Sequence, residues 1–201
     1  MMKYTGIARA GGMLVSVLQK GLVPEMIAEP GLIGLCTPQE KGDFILGVWL
    51  YDIRECMQLN RHEMVAVDDR RQRYPSVYVN LFYMITPYSC GDVKYRAEEE
   101  ALMFGKILQT LKDAAVLELS GLEDADGGEP VCQIVLQNLS MEEKQRIYPA
   151  QGGYKASLFY EVGPLEISSE KERSVRRVVD ISYDIGETDG NAAAVLRGGM
   201  L

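Results

Sequence analysis

His62 is the only histidine in a chain of 201 residues. A cysteine–histidine nucleophile would have to use it, with the thiol coming from Cys36, Cys56, Cys90 or Cys132. His62 sits between Arg61 and Glu63 in a stretch of mixed charge, and spacing selects no Asn or Asp to orient its ring. A two-histidine metal centre is excluded by count. A Cys/His zinc site needs close ligand pairs, and the four cysteines form no CxxC. Thiols scattered in this way read as the reduced cysteines of a cytosolic protein. Glu98, Glu99 and Glu100 are adjacent, so on a helix they spread about 100° apart. They read as a solvated face, not as paired catalytic carboxylates.

The motif search points the same way. There is no GxxxxGK[ST] phosphate loop, no GxGxxG after a strand, no GxSxG elbow and no HExxH. The Gly pairs at 11–12, 127–128 and 152–153 precede no helix N-terminus with a basic partner, so none is built for phosphate. Tyr4, Tyr51, Tyr78, Tyr83 and Tyr160 lie in apolar stretches and read as core or interface aromatics. No catalytic residue, cofactor or metal is expected. The chain reads as a non-enzymatic building block.

Binding residues are then the ones to seek. Arg61-His62-Glu63 and Asp68-Asp69-Arg70-Arg71 frame the polar segment Asn60–Tyr74, which is either a solvated loop or a partner contact through Arg70 and Arg71. Val179, Ile181, Tyr183 and Ile185 alternate with Asp180, Ser182 and Asp184, the pattern of a strand with one buried face. After the polar link Ser168–Ser174, that strand either folds back on Tyr154–Ile167 or pairs with a neighbouring subunit, through Val179, Ile181 and Tyr183. A net charge of −8 argues against a broad nucleic-acid footprint. No cationic flank with an unbroken apolar run opens the chain, and no segment reaches the ~18 apolar residues of a membrane span. No direct membrane insertion is expected.

These residues need a scaffold, and the composition allows one. Hydrophobic residues make up 47% and charged residues 25%, enough for a packed core in one domain with an extension. Tyr4, Ile7, Ala8, Gly11, Leu14, Val15 and Leu18 share one helical face, ended by Gly21 and Pro24. Gly11 and Gly12 weaken that helix unless another backbone packs against it. Leu32–Cys36 and Phe44–Ile53 read as a hairpin around a turn-rich loop. Both faces of the second run are apolar, as in a sheet covered on both sides.

Ser76–Thr86 is the clearest strand, stopped by Pro87. A long helix is expected from Asp92 to Lys112, burying Ala97, Ala101, Phe104, Leu108 and Leu111. Val131–Asn138 is strand-like, and Ser140-Met141-Glu142-Glu143 is a capping box that opens a short helix ending near Tyr148. Leu158, Tyr160 and Val162 face together until Gly163-Pro164 shifts the phase to Leu165 and Ile167. The order predicts an α+β fold: a mostly antiparallel mixed sheet with two main helices packed on it. The expected division is 1–168 for the α+β domain and 169–201 for a C-terminal strand and tail.

Three stretches in this order resemble a known family. They are Leu46–Glu55 after the opening helix, Val79–Tyr88 followed by Leu102–Leu111, and Leu139–Glu143 running into Tyr154–Val162. Together they are similar to the cap proteins of virulence-cassette and antifeeding-prophage-type contractile injection systems, over roughly Tyr4 to Ser168. The resemblance implies a tail-terminator-like fold and a structural role. Such proteins form a ring on the end of the inner tube and outer sheath, stop polymerisation and fix the finished length. It also implies a hexamer of the chain itself, contacts to the tube and sheath proteins, and a cytoplasmic protein that works within an assembled tail-like particle. Another tail component, such as a tube–baseplate adaptor, or an unrelated enzyme or ligand-binding protein stays open on the residues alone.

Overall fold

The computed structural model describes residues 4–59, 63–68, 70–118, 131–148 and 153–174. Along these the chain forms α1 (Gly6–Leu22), a 3-10 turn (Pro30–Leu32), β1 (Ile33–Leu35), β2 (Leu46–Glu55), β3 (Val65–Ala66), β4 (Arg71–Arg73) and β5 (Val77–Pro87). There follow α2 (Arg96–Asp113), β6 (Val116–Glu118), β7 (Val131–Leu136), α3 (Met141–Ile147), β8 (Leu158–Ile167) and β9 (Glu172–Ser174). They divide into two compact units, Met1–Arg61 with Ser76–Ser169 and His62–Pro75 with Glu170–Leu201.

The first unit is built on a six-stranded sheet of order β1-β2-β5-β8-β7-β6. The alternation in β5 places Val79, Leu81, Tyr83 and Ile85 on the face that meets the helices. From α1 this face receives Ala10, Leu14, Val15, Leu18 and Leu22, and from α2 Met103, Ile107 and Leu111. Full burial of a Leu-sized side chain contributes about 1.5–3 kcal/mol relative to an exposed one, and Leu14, Leu18, Leu22, Leu46 and Leu81 are all fully buried. The opposite face carries Trp49, Tyr51, Phe82 and Phe159, joined by ring contacts of 5.7–6.2 Å. The α+β class and the mostly antiparallel sheet with two main helices on it are therefore as predicted.

Several local expectations are corrected. Leu32–Cys36 and Phe44–Ile53 form no hairpin, because β1 runs parallel to β2 with Ile33 opposite Leu46 and Leu35 opposite Val48. The chain reverses twice on the way, at Thr37–Glu40 and Lys41–Phe44, and two reversals restore the original direction. Helix α2 starts at Arg96, not Asp92. Asp92 holds the preceding turn, its carbonyl accepting from Tyr95 and Arg96 and its carboxylate from the Lys94 N–H.

The buried stripe of α2 is Met103, Ile107 and Leu111, while Ala97, Ala101 and Leu108 are exposed. Alanine offers little surface to bury, so the bulky i, i+4, i+8 set fixes which side turns inward. Helix α1 passes through Gly21 and ends at Leu22. A Cβ at Gly21 would stand 2.3 Å from Thr110, so glycine is what lets α2 come this close. Of the glycine pair in α1, Gly11 faces Tyr83 and Leu35 side chains, whereas Gly12 is open to solvent. Tyr4 and Ala8 are likewise exposed rather than on the buried face.

Helix α3 has its complete capping box: Ser140 Oγ accepts from the Glu143 N–H, and the Glu143 carboxylate accepts from the Ser140 N–H at 2.8 Å. These bonds hold the Glu143 carboxyl below its usual range. In β8 the phase shift at Gly163-Pro164 is a bulge. Leu81 pairs with Val162 and Val79 with Leu165, so two residues stand opposite Asn80.

In the second unit β3 and β4 pair, so the stretch Asn60–Tyr74 is not a plain loop. β9 adds to β4 antiparallel, inside the stretch expected to be a polar link. The segment Val179–Ile185 lies outside the described residues.

Candidate interaction surface

Strand β1 is three residues long and β2 is ten, and this inequality creates the most distinctive surface of the first unit. The ladder between them ends at Leu35 opposite Val48, with one further bond from the Cys36 N–H to the Val48 carbonyl. Beyond it, among the described residues, no strand lies along the outer edge of β2. The Ile53 N–H is bonded at 2.9 Å by the Asp52 carboxylate, which Arg54 Nε clamps at 2.7 Å. A strand N–H satisfied by a neighbouring side chain is not in a ladder, and short charged residues at such a position are a usual guard of an open edge.

Beside this edge lies a groove of about 500 Å³. Ile7, Ala8 and Gly11 of α1 form one wall, and Thr37, Glu40 and Phe44 of the β1–β2 connection form another. Leu35, Val48, Leu50 and Tyr83 line its floor. Burial pushes the Tyr83 hydroxyl and the Cys36 thiol up from their ordinary pKa values, so both stay neutral. Leu35 and Ile53 are 48% and 46% exposed, which leaves an apolar stripe along the groove. The chemistry on offer is backbone hydrogen bonding at the edge and apolar contact beside it.

A second concentration of side chains ties down the β5–α2 connection. Lys155 Nζ lies 2.6 Å from Glu100, whose carboxylate also accepts from the Ser89 N–H, while Ser89 Oγ donates to Glu99. Lys41 and Lys155 both stand over the Tyr88 ring. The expectation that the glutamate run is only a solvated face is thus corrected for Glu99 and Glu100. Helical adjacency spreads them, but the connection wraps around to meet both. On the aromatic face Glu161 accepts from Asn80 at 2.6 Å and Gln137 at 2.7 Å.

Of the candidate binding residues, Arg70 is exposed, with its N–H on the Asp68 carboxylate. Arg71 is paired with Asp68 at 2.7 Å and with Glu172 at 3.2 Å, so it joins β4 to β9. His62, Val179, Ile181 and Tyr183 lie outside the described residues. Cys36, Cys56, Cys90 and Cys132 are free, the last buried and Cys90 exposed. Among the described residues no group of three or more His, Cys, Asp or Glu is placed to hold a metal ion. None of the described helices is long and apolar enough to cross a membrane. Residue patterns did not reveal the groove, whose walls come from positions as far apart as Ile7 and Tyr83. The one signal was the short apolar run before a long one.

Residues 13–181 match the Pvc16 N-terminal domain family. Among solved structures, the sheath/tube terminator of PVC, an extracellular contractile injection system, in its extended state is similar at a TM-score of 0.65 and 18% identity. That match covers 96% of this chain and 67% of the other. The tube-terminating cap of the anti-feeding prophage is similar at a TM-score of 0.49 and 21% identity, over 71% of this chain and 49% of the other. No curated protein sequence matches.

Proposed function

The chain belongs to the Pvc16 N-terminal domain family, and from that membership we propose that it is a structural terminator of a contractile injection particle. It closes into a ring on the end of the inner tube and sheath, stops their polymerisation and fixes the length of the particle. The observation that carries this reading is the family match across residues 13–181, supported by a fold shared with a sheath/tube terminator at a TM-score of 0.65. The work is binding, without catalysis. The ring is a hexamer with heterologous contacts, the kind that closes cyclically, and its partners are the tube and sheath proteins. It works within the assembled particle, which is put together in the cytoplasm. Residues 1–168 build the ring, and 169–201 with the exposed Arg70 and its neighbour Arg71 reach the adjoining subunits.

The test is electron microscopy of particles from cells that lack the gene. Overlong or ragged tube–sheath particles are expected. Particles that lack baseplates would instead make the chain an adaptor, and particles of normal length would remove it from assembly.

A further inference from the structure

The open edge of β2 and the groove beside it have a shape and chemistry that select an extended, alternating segment. Past Val48 the backbone groups on the side of β2 away from β5 face no strand among the described residues, and the Ile53 N–H is bonded by its neighbour's carboxylate. On the helix side of β2 the edge presents Leu50 and Ile53, next to exposed Leu35 and the α1 wall. On the other side it presents Arg54, lying over the Phe82 ring and clamping Asp52 through its Nε. A strand added here would place alternate side chains in the apolar groove and on the Arg54 side.

One segment of this chain has that pattern. Val179, Ile181, Tyr183 and Ile185 form an apolar row, and Asp180 and Asp184 alternate with them. Laid along β2 with the apolar row in the groove, the acids fall on the side that carries Arg54. We infer that the β2 edge and its groove accept the segment Val179–Ile185 of a second copy of the chain. Donor and acceptor are different surfaces, so the contact is heterologous and repeats from copy to copy. That property closes rings, and the choice of a second copy rests on the ring proposed above. In a closed ring every donor is seated and every groove filled.

The test mixes two full-length variants, Ala8→Cys and Ile181→Cys, in concentrated solution at ~0.5 M salt, where the charge of −8 per chain is screened. Ala8 is exposed on the groove wall, so its replacement disturbs no core contact. After treatment with a short bis-maleimide, a linked peptide pair joining positions 8 and 181 can only come from two copies. The linked pair is expected. So is at least tenfold faster amide exchange at Leu50–Ile53 in Ile181→Asp/Tyr183→Asp than in the unaltered chain, with β5 unchanged. No cross-link between copies, together with equal exchange in both chains, overturns the inference. So does a link that forms only when both cysteines are in one chain. These readouts use purified protein, whereas capping is read in particles, so either reading can fail without the other.

Discussion

At the scale of single residues, Gly163 shows how little tolerance the bulge in β8 has. A Cβ there would lie 2.4 Å from Asn80 Oδ1 and 3.1 Å from the Asn80 Cα. The side chain could turn away, but only by breaking its bond to Glu161, and the backbone of β5 cannot move without shifting the central ladder. Gly163→Ala is therefore expected to destabilise the protein by about 1–3 kcal/mol, the usual cost of overpacking. The check is the urea midpoint, and an unchanged midpoint would refute the account. The phase shift at this position was legible in the sequence, because Val162 and Leu165 cannot share a face without an extra residue between them. Its partner was not legible. Asn80 reads as an ordinary polar position in an alternating strand, and only the pairing of β5 with β8 brings it against the glycine. The same holds for Glu99 and Glu100, whose role depends on where the β5–α2 connection travels.

At the scale of elements, α1 carries a correctable weakness. Gly12 is exposed in the interior of a 17-residue helix, with no atom of the described residues within 4 Å of the place a Cβ would occupy. Gly12→Ala is expected to stabilise the protein by about 1 kcal/mol, because alanine leaves less backbone freedom to lose. In a chain of this size that raises Tm by roughly 2–4 °C, readable by calorimetry. A lowered Tm would contradict this account of Gly12. Elements with strong periods were legible as elements: β5, β8, α1 and the capped α3 lie close to where the pattern placed them. Direction and phase were less so. Apolar alternation is identical in parallel and antiparallel strands, so nothing in Leu32–Cys36 told against a hairpin. In α2 a stripe counted through two alanines competed with one of three bulky residues, and volume decided.

For the molecule as a whole, alkaline pH is the expected limit of stability. Burial raises Cys132 from its ordinary 9.0 to about 11, and Tyr160 and Tyr88 from 10.0 to about 12; Tyr83 moves the same way. In each case the folded state keeps a proton that the unfolded chain releases earlier. Their contribution is complete below pH 9 and is lost as pH rises through about 11–12, since there the unfolded state binds fewer protons. Urea unfolding at a series of pH values should show a flat midpoint up to about pH 9 and a steady fall above it; a midpoint that rises there would contradict this. The aromatic face carries a further consequence. Trp49 is the chain's only tryptophan, and its ring lies beside Tyr51 on the aromatic face of β2, at the level where β2 outruns β1. Light absorbed selectively by indole therefore reports on one place in the molecule. The colour of its emission, and its quenching by a dissolved solute, read whether the aromatic face of β2 is wet or covered with no dye attached.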